Sequence, residues 1–375
     1  MVADQPLLLQ WLLDMVARKG SDMYLSFGSP PLMRGDAGMV ALSDMVLDDV
    51  ALAGIFADFM TGEQIDQFER EHEYNMALDL GQAGRFRVNA FKQRQHSGLV
   101  IRQIVTTIPT LDQLRLPTLL GELCCEKRGL VVVVGGTGSG KSTSLAAMID
   151  YRNRKEAGHI ITVEDPIEYV HEHKKCLVTQ REVGVDTNSF EVALKNALRQ
   201  KPDVILVGEI RDEVVMEHAI NIAETGHLAL ATLHANNANQ ALERMLNFFP
   251  HEVHNQILLN LSLNLRGILS QRLVRTKKGG RTAALEIMLN QGLIRDLIRK
   301  GEVKEIKTIM AQNVEQGMQT FDQALFRLWE NDEVDEEIAL AEADSPGDLR
   351  LLMQRKKLGG GEGLKSVDTS KLSLG

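Results

Sequence analysis

The sequence predicts an α/β protein in two parts, a small α+β domain followed by a parallel β-sheet covered by helices. Three observations lead to this fold class, in a chain of 375 residues that exceeds what one core usually supports. Short segments of alternating polar and apolar residues fill residues 21–105. Continuous runs of Val, Ile and Leu then alternate with helical patterns over 119–290. From 291 to 357 the pattern is helical throughout, which predicts a helical appendage.

The N-terminal domain is predicted to span residues 1–105. Apolar residues near its start recur at helical spacing, namely Leu7, Leu8, Trp11, Leu12, Met15 and Val16. Because no Lys/Arg stripe lines the polar side, we expect a helix that packs on its own domain rather than a membrane anchor. A further helical stretch lies near 48–71, among strand-like segments such as DMYLSFG, YNMALDL and RFRVNAFKQ. Residues 106–118 contain two prolines and are predicted to form a linker.

The second domain is predicted to span residues 119–290. Its apolar runs are uninterrupted, as in strands buried on both faces, and they read GLVVVVGG, HIITVED, DVILVGE and HLALATLH. In the helical region that follows, turns are expected near Gly301 and Gly317. The last segment, 358–375, is rich in Gly and Ser and is predicted to be disordered.

Composition argues against several classes of function. The net charge of −9 is unfavourable for a nucleic-acid partner, because such proteins usually concentrate positive charge. No apolar run approaches the roughly 20 residues that cross a bilayer, and no signal peptide is evident, so a cytoplasmic protein without membrane insertion is expected. The three cysteines form no CxxC pair, and HEH at 171–173 and HEVH at 251–254 lack the HExxH spacing. We therefore expect surface histidines there and no transition-metal site.

A phosphate-binding loop lies between a predicted buried strand and a helix. The pattern G-x-x-x-x-G-K-S runs from Gly135 to Ser142. Its glycines let backbone N–H groups face phosphate oxygens, Lys141 reaches the β- and γ-phosphates, and the Ser142 hydroxyl ligates Mg²⁺. The sequence therefore predicts ATP and Mg²⁺ as ligands, with the nucleotide held by Gly135, Thr137, Gly138, Ser139, Gly140, Lys141, Ser142 and Thr143.

Three carboxylates surround Pro166 at the end of the next apolar run. Hydrolysis of a nucleoside triphosphate needs a group that orients and deprotonates water, and Glu164 is the candidate for that base. Asp165 is expected to support it, and Glu168 to lie on a turn or the surface. A solvated acidic turn without a catalytic role remains the alternative, because proline and acidic residues are also good turn formers.

Two later strand ends carry further candidates. Glu209 follows an apolar strand and is expected to position Mg²⁺ through a water molecule, with Arg211 paired to Glu209 or to Asp212. His234 follows the last of the apolar runs and is expected to reach the γ-phosphate and report its presence. His227, at the start of the same run, is a weaker candidate.

With these four stretches in view, the chain resembles the type II/IV secretion ATPase superfamily. The motifs that carry the resemblance are GGTGSGKST, ITVEDPIEY, ILVGEIRD and GHLALATLHANNA. The segments SDMYLSFGSPPLMRGDAG and GRFRVNAFKQ are similar to the PAS-like domain of type IV pilus retraction ATPases, and the chain is most similar to their accessory type. The resemblance implies a PAS-like domain followed by a RecA-like P-loop ATPase domain. Pilus extension and type II secretion ATPases usually carry a four-cysteine zinc insertion, which this chain lacks.

The resemblance also implies partners. It implies a homohexamer whose ATP sites are completed by arginines, for which Arg87, Arg102 and Arg244 are the candidates. It places the chain in the cytoplasm, peripheral at the inner membrane, where it drives pilus retraction through a platform protein, with another retraction ATPase as a further partner. LIRDLIRKG, 293–301, resembles a motif that the family needs for retraction. Alternatives are an assembly or secretion ATPase, a nucleic-acid translocase, and a docking subunit without autonomous activity.

Overall fold

The computed structural model describes residues 6–35, 38–81, 84–104 and 107–358. These form two compact units. The first runs to Thr107 and includes Ile167–Val170 and Gly184–Asp186, and the second comprises the rest. Apart from Leu358, the tail for which disorder is predicted lies outside the described residues.

The first unit contains a six-stranded antiparallel sheet with the order β3-β2-β1-β6-β5-β4. Its strands are β1 Asp22–Ser26, β2 Leu32–Gly35, β3 Gly38–Ala41, β4 Glu73–Asp79, β5 Arg85–Gln93 and β6 His96–Ile104. Three helices pack against this sheet, α1 Leu7–Ala17, α2 Asp49–Phe59 and α3 Gly62–Glu71. Alternation along the strands separates a buried set from a half-buried set, as on β5, where the fully buried Phe86 and Val88 alternate with the half-buried Arg85, Arg87 and Asn89.

The predicted first helix packs on its own domain. In α1 the buried residues Leu8, Trp11, Leu12 and Met15 join the core of the first unit. Burying each such side chain contributes about 1.5–3 kcal/mol. The start of α3 is fixed by a capping box, in which Thr61 and Gln64 satisfy each other's backbone N–H groups.

The second unit contains a seven-stranded sheet with the order β13-β12-β7-β11-β10-β8-β9. The strands are β7 Gly129–Val134, β8 Gly158–Glu164, β9 Cys176–Glu182, β10 Val204–Val207, β11 Leu228–Leu233, β12 Leu265–Arg275 and β13 Arg281–Leu289. All neighbouring pairs are parallel except the β12–β13 hairpin. The four predicted strands are confirmed as β7, β8, β10 and β11, and every residue of β7 and β11 is buried.

Helices fill out the second unit. They are α4 Thr118–Cys124, α5 Lys141–Lys155, α6 Phe190–Ala197, α7 Glu213–Glu224, α8 Ala238–Asn247, α9 His254–Asn264, α10 Leu293–Lys300, α11 Ile306–Gln312, α12 Phe321–Glu330, α13 Glu336–Ala341 and α14 Pro346–Lys357. The turns predicted at Gly301 and Gly317 are confirmed, because both glycines end helical segments with positive φ. In the described ranges no helix combines the length and the apolar character that crossing a bilayer requires. Leu111 and Leu116, from the predicted linker, are buried in the core of this unit.

Candidate active site at the carboxyl edge of the second sheet

The parallel strands bring the predicted residues to one edge of the sheet. Strands β7, β8, β10 and β11 run in the same direction, so their carboxyl ends lie side by side. The phosphate-binding loop follows β7, His234 follows β11, Glu209 follows β10, and Glu164 ends β8. Ligands of open α/β sheets bind outside this edge.

The phosphate-binding loop is shaped by glycines and fits a phosphate group. Gly135 has a φ of 155°, and a Cβ there would lie 2.5 Å from the Gln271 carbonyl oxygen and from Ser139 Oγ. Ser139 Oγ is itself buried, and within the described part of the chain it has no hydrogen-bond partner. Lys141 Nζ donates to the carbonyl oxygens of Gly135 at 2.8 Å and Gly136 at 2.9 Å. Helix α5 begins at Lys141, so its positive end faces the loop.

A residue that the sequence analysis missed holds this loop in place. Gln271 of β12 is 3% exposed. Its Nε2 donates to the Ser139 carbonyl oxygen at 2.8 Å, and its Oε1 accepts from Ser144 Oγ at 2.7 Å. The signal in the sequence was a run of three polar residues, Ser270, Gln271 and Arg272, inside the otherwise apolar stretch ILSQRLV.

Glu164 is held at the end of β8 by hydrogen bonds to one carboxylate oxygen. Its Oε1 accepts from Thr162 Oγ1 at 2.6 Å and from Gln180 Nε2 at 3.2 Å. The adjacent strand end passes close by, because a Cβ at Gly208 would lie 3.0 Å from both the Glu164 Cα and the Val163 carbonyl oxygen. Only glycine allows this approach without a shift of the backbone.

Glu209, Arg211, His234 and Asp165 form a continuous chain of charged and polar groups. Glu209 Oε1 lies 3.0 Å from His234 Nε2, and Glu209 Oε2 accepts from Arg211 Nε at 2.8 Å. Arg211 also donates to Asp165 Oδ2 at 2.9 Å. The hydrogen bond that Arg211 donates to Glu209 raises the pKa of Arg211, although partial burial acts in the opposite direction. Arg211 thus pairs with the first of its two predicted partners, while Asp212 instead caps α7 through Val215 N.

Two cavities adjoin the phosphate-binding loop. One, of 420 Å³, is lined by Gly135, Gly136, His234, Ala235, Asn236, Gln240, Glu243, Arg244 and Asn247. This places Arg244 of α8 beside the loop and beside His234. The other, of 710 Å³, borders Gly140, Thr143 and Ser144 and extends to Arg115 and Lys278.

Comparison with known proteins identifies the family. The model of the type II/IV secretion system protein family matches residues 71–320. The chain belongs to this secretion ATPase family. It is 53% identical to the type IV pilus ATPase PilU of Pseudomonas aeruginosa over 96% of this chain and 94% of that protein. It is 42% identical to the type IV pilus retraction ATPase PilT of the same organism, over 84% and 92%.

A solved structure extends the likeness to the fold. The crystal structure of the pilus retraction motor PilT with bound ADP superposes with a TM-score of 0.87 at 38% identity, covering 92% of this chain and 100% of that one. The predicted fold class, a PAS-like α+β domain with a RecA-like P-loop domain and C-terminal helices, is confirmed. The chain is an ATP hydrolase that binds nucleotide, as predicted.

The remaining predicted arginines of this secretion ATPase lie in the first unit. Arg87 and Arg102 stand opposite each other on β5 and β6. Arg102 Nε donates to Asp22 Oδ1 at 2.7 Å, and this hydrogen bond raises the pKa of Arg102. Asp22, on β1, is 5% exposed and also accepts from Ser21 Oγ. A buried carboxylate therefore fixes one arginine of the pair.

His227 lies away from the candidate site. It precedes β11, whose six residues separate it from His234 at the opposite edge of the sheet. Its Nδ1 lies 3.1 Å from Thr225 Oγ1. This contact with Thr225 explains how the His227 side chain is placed, and it involves no nucleotide.

The prediction that the histidines of 171–173 lie on the surface is wrong for His171. His171 is 8% exposed, and burial lowers its pKa to about 4, although Asp150 acts in the opposite direction. The physical reason is Asn153 of α5, which donates to the Glu172 carbonyl oxygen at 2.7 Å and accepts from Lys174 N at 3.2 Å. These bonds draw the polar segment down onto the helix. For HEVH the prediction holds at His251, which is exposed, whereas His254 is half-buried.

Proposed function

We propose that this chain is a motor that hydrolyses ATP to retract type IV pili and so drives twitching motility. It acts as a homohexamer in the cytoplasm, at the inner membrane, on a platform protein of the pilus machine. The observation that carries the catalytic part is the alignment of Glu164, Glu209 and His234 on strand ends beside a phosphate-binding loop. The names of its relatives, a pilus ATPase and a pilus retraction ATPase, support the biological part.

The chain can bind ATP along the two cavities. The phosphates occupy the loop, where Lys141 exchanges its two carbonyl contacts for phosphate oxygens and Ser139 Oγ gains an acceptor. The nucleoside extends into the 710 Å³ cavity beside Gly140 and Thr143. The helix dipole of α5 adds to the attraction for the negative charge.

The residues present fit Mg²⁺. Ser142 and Glu209 offer a hydroxyl and a carboxylate, the hard oxygen ligands that Mg²⁺ prefers. Glu209 already engages both carboxylate oxygens, so its role toward the ion is through water. When bound with the triphosphate, the ion neutralises charge that develops on the phosphate oxygens.

The proton of the attacking water is taken by Glu164. Its carboxylate stands at the end of β8, which is separated from β11 in the sheet by one strand, β10. At the end of β11, His234 can contact the γ-phosphate. The pair of Glu209 and His234 then reports whether the phosphate is present, because a histidine that binds phosphate gives up its carboxylate partner.

Arginines complete the charge balance in the hexamer. Arg244 borders the 420 Å³ cavity of its own subunit. We assign Arg87 and Arg102 to the nucleotide of a neighbouring subunit, where they neutralise the γ-phosphate in the transition state. This arrangement makes turnover depend on assembly.

The catalytic proposal is tested by two substitutions. Lys141→Ala should abolish nucleotide binding, measured with a fluorescent ATP analogue, whereas Glu164→Gln should bind the analogue normally and lose turnover by about 100-fold or more. Turnover measured against protein concentration, together with the mass in solution with Mg-ATP, tests the hexamer. Wild-type turnover in Glu164→Gln would remove this residue from the role of base.

The direction of the motor is tested in cells. Deleting the gene should leave pili that extend but do not retract, whereas loss of pili altogether would indicate an assembly ATPase. The identity to PilU, 53% against 42% for PilT, favours a second candidate, in which the chain assists another retraction ATPase. In that case the purified chain should hydrolyse ATP, and retraction force should require the second ATPase as well.

A further inference from the structure

The candidate base is held by two neighbours, Thr162 and Gln180, for which the sequence predicted no role. Strands β8 and β9 are parallel, and their register sets Thr162 opposite Gln180 and Glu164 opposite Glu182. Thr162 and Glu164 lie two residues apart on one strand, so their side chains share a face. Gln180 reaches the same carboxylate from the adjacent strand.

Gln180 has a fixed orientation. Its Oε1 accepts from the backbone N–H of His171 at 2.7 Å, which leaves its Nε2 to donate toward Glu164. A backbone donor cannot be satisfied by the amide nitrogen, so the side chain cannot turn over without losing that bond. Because His171 is itself buried, the backbone N–H that Gln180 binds is also held in place.

The hydroxyl of Thr162 serves no packing need. Thr162 is fully buried, in a strand whose other interior positions are the aliphatic residues Ile160, Ile161 and Val163. Valine has the same shape as threonine and would fill this position without burying a hydroxyl. The hydroxyl instead donates to Glu164 Oε1 at 2.6 Å.

We propose that Thr162 and Gln180 are positioning residues that fix the Glu164 carboxylate for proton abstraction from water. This inference rests on the proposed role of Glu164 as the base. Two donors on a single oxygen restrict rotation of the carboxylate, and a displacement of about 1 Å at a reacting group can cost about 100-fold in rate. Both side chains act through Glu164 and do not contact the substrate.

The test compares variants that separate the hydroxyl from the packing. Thr162→Val keeps the shape and removes the donor, whereas Thr162→Ser keeps the donor and removes a methyl group. We expect kcat to fall about 10-fold in Thr162→Val, with unchanged affinity for the fluorescent ATP analogue and an unchanged melting temperature. Thr162→Ser should keep kcat within about 3-fold although its melting temperature falls. The opposite order, with Val active and Ser inactive, would show a packing role and overturn the proposal.

Gln180 is tested by an isosteric change. Gln180→Glu keeps the acceptor for His171 N but replaces the amide donor with a second carboxylate beside Glu164. We expect kcat to fall about 30-fold without a change in ATP affinity. Leu177→Ala, an exposed position on the same strand, serves as the control and should retain wild-type kcat. Wild-type kcat in Gln180→Glu would overturn the assignment of this residue.

The same series separates this inference from the proposed function. If Glu164→Gln loses turnover while Thr162→Val and Gln180→Glu retain it, the base stands and the positioning proposal falls. If Glu164→Gln retains wild-type turnover, the assignment of the base is wrong and the positioning proposal falls with it. A wild-type chain without turnover would contradict the proposed function itself.

Discussion

The two sheets of this protein place their charged residues by different rules. In the antiparallel sheet of the first unit, Arg87, Arg102 and Asp22 lie in one row across three strands, because the register sets them opposite each other. In the parallel sheet of the second unit, Glu164 and His234 lie at strand ends, because the connections bring all carboxyl ends to one edge. Strand register therefore determines where the charged residues of the first unit lie, and the topology of the parallel sheet determines where those of the second unit lie.

The difference determines how each set can fail. A slip of one residue in the antiparallel sheet would turn Arg87 into the apolar core, since side chains alternate between faces. A slip of one residue in the parallel sheet would move a strand end by about 3.3 Å and leave its residues at the same edge. The slip would still turn the side chains of that strand to the other face and separate Thr162 from Gln180, so the site depends on register as well as on close packing of the strand ends.

The substitution with the largest expected effect disrupts the packing of the strand ends. In Gly208→Val the new side chain meets the Glu164 Cα and the Val163 carbonyl oxygen, so the ends of β8 and β10 must separate. We expect kcat to fall about 100-fold while the fluorescent ATP analogue still binds within about 3-fold. Gly54→Ala, in a helix of the first unit with open space around the added methyl group, is the control and should have normal activity. Equal turnover in the two variants would show that the strand ends tolerate separation.

A second effect appears in the pH dependence of stability. Burial lowers the pKa of His171 in the folded chain from 6.5 to about 4. As the pH falls from 6.5 toward 4, His171 binds a proton in the unfolded chain but not in the folded chain. The unfolding free energy is therefore highest above pH 6.5 and decreases as the pH approaches 4. Between pH 7 and pH 4 the unfolding free energy of the wild type should fall by about 3 kcal/mol more than that of His171→Leu.

The matched control for this measurement is His251→Gln, at an exposed histidine of the same unit. Its pH dependence should follow that of the wild type. Parallel curves for the wild type and His171→Leu would mean that His171 is hydrated in solution.

The smallest expected effect concerns the antiparallel row. Asp22→Asn removes the charge that holds Arg102, whose side chain is 66% exposed, so we expect a loss of about 1 kcal/mol in the unfolding free energy. Asp14→Asn, at an exposed pair with Arg18 on α1, should cost only a few tenths of a kcal/mol. A double-mutant cycle with Arg102→Ala measures the pair directly, and zero coupling energy would show that Asp22 does not fix the arginine.

Much of the site was predictable because each motif followed an apolar run. The run from Val131 to Val134 predicts a buried strand, and the glycines after it predict a phosphate-binding loop. Lys141 could therefore be assigned to phosphate binding without a structure. Gln271, Thr162 and Gln180 could not be found in this way. Thr162 lies in an aliphatic strand two residues before its partner Glu164, whereas Gln271 and Gln180 lie among other polar residues and find their partners in a distant segment or across the sheet.

The sequence by itself determined the parallel sheet, the phosphate-binding loop and the candidate base, because local patterns of apolar and glycine residues encode strands and turns directly. Only the tertiary structure decided which groups orient that base, that His171 is buried, and that Arg87 and Arg102 stand opposite each other. These features depend on strand register and on hydrogen bonds between distant segments. Such contacts form when the chain packs, and no local pattern records them.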